Sequence, residues 1–187
     1  MKISDIIARI DDLKPNDYAS ATKLTWVNRV DGYVWNEIYK HTDFIDVERE
    51  EGVSAYDLPE GVNFEMVTNV YINGREIYPI KHGDIDTTGY YRDTDGKLNI
   101  YPVPEEDDTK PGLRIVYRVP FKEHKDTEEE AFILPPYDVA YDDYIAAMID
   151  KYSQDMESYS NNVAFYNNSI DEYERWYRGE QNASGTR

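Results

Sequence analysis

Residues 67–80, VTNVYINGREIYPI, are the stretch from which the fold is predicted. Asn73 and Gly74 separate two runs in which apolar and polar residues alternate. A two-residue turn of type I′ requires positive φ at both central positions, and Asn-Gly adopts this conformation readily. We therefore predict an antiparallel hairpin in which residues 67–72 pair with residues 75–80.

The two-residue loop also predicts the register of this hairpin. It places Ile72 opposite Arg75 and Val70 opposite Ile77, and residues that face each other across two strands lie on the same side of a sheet. One face is therefore mainly apolar. The other face carries two tyrosines, Tyr71 and Tyr78.

Four other segments repeat the alternation and are separated by turn residues, which predicts a larger sheet. Asp95 and Gly96 are predicted to turn a second hairpin in the same way. The last segment alternates apolar residues with Arg114 and Arg118, the pattern of a strand that is solvated on one face. Together with the hairpin, the segments predict an antiparallel meander: FIDVERE, VSAYDLP, YYRDTDGKLNIYP and LRIVYRVP.

On both sides of these strands the hydrophobic period is that of a helix. The first predicted helix ends at Pro15. The second begins after Ser20, a good N-cap residue, and runs to about Lys40. Each helix has one apolar stripe, formed by Ile3, Ile6, Ile7, Ile10 and Leu13 in the first and by Leu24, Val27, Val30, Val34 and Ile38 in the second.

The helical period returns after Pro135 and Pro136, which fit just before and at the first turn of a helix. The apolar positions that follow are three or four residues apart, with one irregularity of the heptad pattern. Either one bent helix or two helices satisfy this spacing. We favour a break between Ser153 and Ser158, because both residues can cap a helix, and we predict a C-cap at Gly179.

These segments predict an α+β fold, a small helical bundle with an antiparallel β-sheet inserted between the second helix and the C-terminal helices. We expect a single domain over residues 1–178. Its helices occupy residues 1–41 and 136–178, and the β insertion occupies residues 43–121. Residues 179–187, GEQNASGTR, are polar and are predicted to form a flexible tail.

Composition argues against several classes of function. The chain has 38 acidic and 20 basic residues, a formal net charge of −18, so binding to nucleic-acid phosphates is not expected. It has no Cys, which removes disulfides, thiol nucleophiles and thiolate metal sites. No segment approaches the roughly 20 apolar residues of a membrane span, so we expect no membrane association.

No motif predicts catalysis or a cofactor. His82, Asp84 and Asp86 would share one face of an extended segment, but they are too few for a closed metal site, and a polar loop is the better interpretation. The DTDG stretch at residues 93–96 lacks the flanking acidic residues of a calcium loop, which favours a hairpin turn. We expect a protein without enzyme activity, metal or cofactor.

Aromatic residues recur along the predicted C-terminal helices, and the chain has 18 Tyr in all. At helical spacing such residues form a core or a subunit interface more often than a stacking platform for sugars or bases. The part nearest the C-terminus is therefore a candidate partner interface, which comprises Tyr166, Tyr173, Trp176, Tyr177 and Arg178.

Several segments carry a resemblance to a known family: ISDIIARI, TKLTWVNRVDGYVWNEIY, YDLPEGVNFEMVTNVYINGREI and the helices after LPPY. Their order resembles the head–tail connector (adaptor) proteins of tailed bacteriophages. In that family, N-terminal helices precede a Tyr-x-Leu-Pro strand entry and then a strand with a Val-Tyr centre. Here these places are occupied by Tyr56, Leu58, Pro59, Val70 and Tyr71.

The resemblance implies a non-enzymatic protein of the virion, assembled in the host cytoplasm. It also implies a homo-oligomeric ring, usually of twelve subunits, that mounts beneath the portal protein and receives a tail or stopper protein. The DNA passes through the channel of such a ring without specific binding.

Two other classes remain open from the sequence. A different phage tail or baseplate structural protein would use the β insertion as its assembly surface. A carbohydrate-binding module would need aromatic side chains aligned on one exposed sheet face, where Tyr71 and Tyr78 supply two at most.

Overall fold

The chain divides into two compact units in a computed structural model that describes residues 1–81, 87–105 and 108–184, with the backbone alone for 108–111 and 180–184. The helical unit comprises Met1–Tyr39 and the chain from Phe121 onward, and the sheet unit comprises Lys40–Pro120. The sheet unit coincides closely with the predicted β insertion. That the chain forms a single domain stays a prediction.

The helical unit contains four helices. α1 spans Ile3–Leu13, and α2 spans Ser20–Tyr33 and continues as a π-helical turn over Val34–Tyr39. α3 spans Val139–Ser153 and α4 spans Met156–Ser184. The C-terminal helical segment is therefore two helices, and the predicted break between them is confirmed.

The two N-terminal helices follow their predicted apolar stripes with small departures. The four isoleucines of α1 are buried, but Leu13 at its end is 68% exposed. Ser20 is the first residue of α2, and Ala19 occupies the N-cap position without a side-chain hydrogen bond. The predicted capping role of Ser20 is therefore wrong, since the helix begins one residue earlier than a Ser20 cap allows.

The connection between α3 and α4 is made by Gln154, whose φ of 65° lies in the left-handed region. Asp155 then caps α4, because its Oδ1 accepts a hydrogen bond of 3.1 Å from the Ser158 N–H. At its other end α4 continues through Gly179 to Ser184, so the predicted C-cap at Gly179 is wrong. A glycine inside a helix costs only about 1 kcal/mol, which neighbouring turns can offset. Residues 185–187 of the predicted tail lie outside the described residues.

The sheet unit is one seven-stranded sheet with the order β1-β7-β3-β4-β5-β6-β2. Its strands are β1 Thr42–Arg49, β2 Ala55–Tyr56, β3 Val67–Ile72, β4 Arg75–Pro79, β5 Gly89–Arg92, β6 Leu98–Tyr101 and β7 Asp108–Arg118.

The hairpin from which the fold was predicted is confirmed in turn and register. β3 and β4 are antiparallel, with Val70 opposite Ile77 and Ile72 opposite Arg75. Asn73 and Gly74 have φ of 50° and 77°, as a type I′ turn requires. Val70 and Ile77 are buried on the apolar face.

The prediction of a purely antiparallel meander is wrong at one pair of strands. β4 and β5 are parallel, with Tyr78 opposite Gly89. A Cβ atom at Gly89 would lie 2.4 Å from the carbonyl oxygen of Tyr78, so this close approach requires glycine. The local turn chemistry could not reveal this pair, because β4 and β5 are joined by a longer connection rather than a tight turn. His82, Asp84 and Asp86 belong to that connection and lie outside the described residues.

The second predicted hairpin exists, but its turn differs. β5 and β6 are antiparallel, and Arg92 faces Leu98, so five residues form the loop rather than two. Only Gly96 in this loop has positive φ. The Asp93 carboxylate stabilises this longer loop, because its Oδ1 accepts hydrogen bonds of 2.9 Å from the N–H groups of Asp95 and Lys97.

The α+β class is confirmed, and each unit has its own hydrophobic core. The core of the helical unit joins all four helices, and the core of the sheet unit is formed by one face of the strands. On β7, Leu113, Ile115 and Tyr117 are buried whereas Arg114 and Arg118 are exposed, as the alternation predicts.

Candidate partner interface

The five residues of the predicted interface all lie on α4, but they differ in exposure. Tyr173 is 2% exposed, Tyr166 and Tyr177 are half-buried, and Trp176 and Arg178 are exposed. Only two of the five side chains therefore project from the helix into solvent. The three tyrosines pack against other aromatic rings of the helical unit.

Tyr173 and Tyr166 are held inside the helical unit. The hydroxyl of Tyr173 lies 2.7 Å from that of Tyr39, and burial is the main cause that raises the pKa of Tyr173. The ring of Tyr166 lies 5.0 Å from that of Tyr144, and burial likewise raises its pKa. Both side chains stay neutral at physiological pH and contribute packing rather than charge.

Trp176 is supported from behind by other aromatic rings. Its ring centroid lies 5.4 Å from that of Tyr137 and 5.6 Å from that of Tyr173, in a stacked arrangement with the latter. Tyr177, the next residue in the sequence, packs on Tyr39 instead, with 4.8 Å between the two ring centroids. Trp176 is still 39% exposed, so it presents a rigid aromatic surface at low entropic cost.

Two exposed apolar side chains lie close in sequence to Tyr137, whose ring contacts Trp176. Leu134 is 52% exposed and Val139 is 45% exposed, and these residues flank Tyr137 in the sequence. Arg178 is also exposed, and its guanidinium is paired with Glu174 one turn earlier, with Nε 2.8 Å from Oε1. Residues two positions apart on a helix lie on different sides of it, so Arg178 does not lie beside Trp176. We name the exposed ring of Trp176, with the Tyr137 and Tyr173 rings that contact it, the α4 surface.

A buried polar cluster, which sequence reasoning missed, stabilises the helical unit. The Asp31 carboxylate on α2 is 0% exposed. It lies 2.8 Å from Nε2 of His124, accepts a hydrogen bond from the Tyr141 hydroxyl and accepts weaker ones, 3.4 Å long, from the Phe132 N–H. These partners are 93 to 110 residues away in sequence, so no local motif could indicate them.

His124 is the central residue of this cluster. Nδ1 of its ring lies 3.2 Å from a Glu129 oxygen, and its backbone exchanges hydrogen bonds of 2.8 and 2.9 Å with the Asn28 amide. The pKa of His124 is raised, chiefly by the hydrogen bond to Asp31 and against the opposing effect of burial. The pKa of Glu129 is lowered, chiefly by the hydrogen bond from the Lys125 N–H and then by the contact with His124. The cluster fastens the segment after Phe121 to α2.

The described residues show neither a metal site nor a membrane span. Among them, no group of three His, Asp or Glu side chains is placed so that it could hold a metal ion. In the same part of the chain, no helix combines the length and the apolar character that crossing a membrane requires.

Packed helices present a rigid, exposed aromatic side chain at the α4 surface, and aromatic residues of this kind are enriched at protein interfaces. A comparison with known families gives the class of protein. A family model described as SU10 adaptor protein matches residues 1–186. The chain therefore belongs to the SU10 adaptor protein family, a family of phage head–tail adaptors, and is a structural component of the phage virion. Proteins of such a structural family are generally not enzymes. No curated protein matches the chain.

Proposed function

We propose that the protein is a head–tail connector that joins the portal to the tail. In this proposal it assembles as a homo-oligomeric ring of twelve subunits beneath the portal protein and receives a tail or stopper protein on its other side. The observation that carries the proposal is the family match over residues 1–186.

The charge of the chain supports a passive role in a DNA channel. The formal net charge is −18, and an acidic wall repels the phosphate backbone instead of binding it. A channel that DNA must traverse benefits from such a wall, because specific or strong contacts would slow passage.

The α4 surface is the part of the chain that we assign to partner binding. Trp and Arg are the residue types that most often dominate the energy of an interface, and Trp176 is already held in place by packing. Tyr173 supports the interface by contacting Trp176 directly. Tyr166 and Tyr177 contribute indirectly, because they pack α4 against Tyr144 and Tyr39.

The test compares two exposed aromatic residues on the same helix. Trp176→Ala removes the centre of the α4 surface. Phe165→Ala is the matched control, because Phe165 is 57% exposed and lies eleven residues earlier, about three turns or roughly 16 Å along the helix on nearly the same side. Binding of each variant to the purified cognate portal is measured, and electron microscopy records any rings.

We expect the wild type and Phe165→Ala to bind the portal and form rings, and Trp176→Ala to bind roughly tenfold more weakly or worse. Binding that survives Trp176→Ala undiminished shows that the α4 surface is not the docking surface. If the wild type binds no portal but binds a tail or baseplate protein, or a glycan, the connector proposal is wrong and the corresponding alternative replaces it.

A further inference from the structure

β1 forms one end of the sheet and is an edge strand of eight residues, Thr42–Arg49. The opposite edge, β2, has only two residues. Within the described parts of the chain, the backbone of residues 43–48 makes no backbone hydrogen bond other than those of the β1–β7 pair. β1 thus offers a row of hydrogen-bonding groups along its outer side.

The side chain of Asp43 shows which backbone groups point outward. The Phe44 N–H donates a hydrogen bond of 2.8 Å to Asp43 Oδ1 and not to β7. Because N–H directions alternate along an antiparallel strand, Phe44 and Asp46 present their backbone groups to the outer side, whereas Ile45 faces β7. The Asp43 carboxylate accepts a hydrogen bond from one of these groups, so it must rotate away before the Phe44 N–H can pair with an added strand.

The side chains along this edge are already fixed in position. Asp46 accepts two hydrogen bonds from Arg114, of 2.7 and 2.8 Å, and the Arg114 guanidinium carbon lies 4.2 Å from the centre of the Phe44 ring. Phe44 remains 50% exposed. Next to it is a cleft of about 360 Å³, lined by Asp46, Tyr71, Gly74, Gly112 and Arg114. The edge and the cleft form one preorganised surface, which lowers the entropic cost of binding.

The acidic charge of β1 indicates which kind of strand can pair with its outer edge. Asp43, Asp46 and Glu48 outnumber the two cations along this edge, Arg49 of β1 and Arg114, which pairs with Asp46, and two more acidic residues follow in the sequence at Glu50 and Glu51. Pairing of this edge with the same edge of a second copy would place acidic side chains opposite each other, which is destabilising. An added strand with Lys or Arg at alternate positions would instead face opposite charges.

We propose that the outer edge of β1 binds an extended segment of a partner protein by strand addition. The segment carries Lys or Arg side chains at alternate positions facing Asp46 and Glu48, and an apolar side chain against Phe44. Backbone hydrogen bonds to the outward groups of Phe44 and Asp46 supply affinity, and the charges supply selectivity. The inference does not rest on the connector proposal, because it concerns the sheet unit and a different surface.

The probe is a short synthetic peptide in which every second residue is Thr and the residues between are Lys or Val. The matched control peptide has Glu in place of every Lys. Each is titrated into the full-length protein, and amide hydrogen exchange is measured along β1 and along β2. We expect the basic peptide to slow exchange at the outward amides of Phe44 and Asp46, and the acidic peptide to leave it unchanged.

Two substitutions at one position isolate the backbone contribution. Phe44→Pro removes an outward N–H without removing a hydrogen bond to β7, which is the position where an edge strand tolerates proline. Phe44→Thr removes the ring but keeps the N–H and a residue that favours strands. We expect Phe44→Pro to bind the basic peptide at least roughly tenfold more weakly than Phe44→Thr, with circular dichroism unchanged in both. If Phe44→Pro does not fold, Glu48→Lys provides the test, and we expect it too to weaken binding of the basic peptide.

Three outcomes would overturn the proposal. These are equal protection by the basic and acidic peptides, no protection by either, and dimerisation of the wild type that Phe44→Pro abolishes in analytical ultracentrifugation. The last result would make a second copy of the chain the occupant. Loss of portal binding has no bearing on these measurements, so the proposal and the connector function can fail separately.

Discussion

The helical unit and the sheet unit stabilise themselves in different ways. In the helical unit, several polar or charged side chains are buried among the apolar ones: Lys23, Asn28, Asp31, His124, Asp138 and Asp150. Among the described residues of the sheet unit, Asn99 is the buried polar side chain, and its ion pairs, such as Asp46 with Arg114 and Asp57 with Lys97, lie at the surface.

Because of this difference, the two units should tolerate the loss of a charged side chain to different extents. A buried carboxylate with several donors specifies one arrangement of the helices, but loss of one partner leaves the others unsatisfied. A surface ion pair contributes little, because water replaces the lost partner. All three Trp residues, Trp26, Trp35 and Trp176, belong to the helical unit, so their fluorescence reports on that unit alone.

The largest effect is expected for Asp31→Asn. The substitution retains the shape of the side chain but removes the charge that His124 and Tyr141 contact, and it places amide hydrogens against existing donors. We expect the free energy of unfolding of the helical unit to fall by about 3 kcal/mol or more. Urea unfolding followed by Trp fluorescence measures this loss.

The matched control is Asp46→Asn in the sheet unit, where the carboxylate is exposed and paired with Arg114. We expect amide hydrogen exchange in the strands of the sheet unit, which the Trp fluorescence does not report, to stay close to that of the wild type for this variant. Equal losses for the two substitutions would contradict the contrast between the units.

Gly89→Ala should produce the largest effect in the sheet unit. The new Cβ would lie 2.4 Å from the Tyr78 carbonyl oxygen and 2.5 Å from an Ile80 methyl carbon, so the parallel β4–β5 pair must separate or shift. We expect a loss of about 2 kcal/mol, measured as faster amide exchange in β4 and β5. The neighbouring Thr88→Ala is the control, since Thr88 is exposed.

The same variant tests whether the chain is a single cooperative domain. If the units unfold together, Gly89→Ala also lowers the urea midpoint seen by Trp fluorescence. If they unfold separately, the fluorescence midpoint does not change, and the predicted single domain is wrong.

The helical unit should also lose stability as pH rises, because of His124. The raised pKa of His124 means that its contribution to stability is complete below its unfolded value of about 6.5 and is lost as pH rises through the folded value. The pKa values of Asp46 and Asp93 are lowered, by hydrogen bonds from Arg114 and Asn99, so their contribution is lost in acid. We expect the Trp fluorescence midpoint in urea to fall between mildly acidic and alkaline pH.

His124→Gln is the control for this pH dependence. The variant should be less stable than the wild type at mildly acidic pH, and the fall of its midpoint at higher pH should disappear. A wild-type midpoint that stays constant as pH rises from mildly acidic to alkaline values would contradict a raised pKa of His124 in the folded protein.

The smallest effect is expected for Gly179→Ala, and it is stabilising. A Cβ at this position meets no atom within 4 Å, and α4 continues past it. Replacing glycine by alanine inside a helix gains about 0.5–1 kcal/mol. Far-UV circular dichroism should show slightly more helix and a higher thermal midpoint. A loss of helix would indicate that α4 ends at Gly179 after all.

Local patterns predicted much of this architecture because their physical causes are local. The Asn73-Gly74 turn needs only two residues that tolerate positive φ, and the isoleucines of α1 need only their own spacing. The break between α3 and α4 was likewise readable from capping residues. The location of the candidate interface on α4 also followed from aromatic spacing along one helix.

Within that interface, the spacing could not separate support from exposed surface. Tyr173 and Trp176 are equally aromatic and three residues apart, yet one is 2% exposed and the other 39%. Their exposure depends on Tyr39 and Tyr137, which approach α4 from other parts of the chain. Burial is a property of all neighbours in space, and a single helix does not contain that information.

The sequence by itself determined the helices, most of the strands, the hairpin register and the acidic character, because each depends on residues within a few positions or on composition. Tertiary structure alone decided the parallel β4–β5 pair, the Asp31–His124 cluster and the free edge of β1. These features arise when distant segments meet, and the free energy that stabilises them comes from close packing and from satisfying buried polar groups. No pattern along one segment specifies which distant residue supplies the missing hydrogen bond.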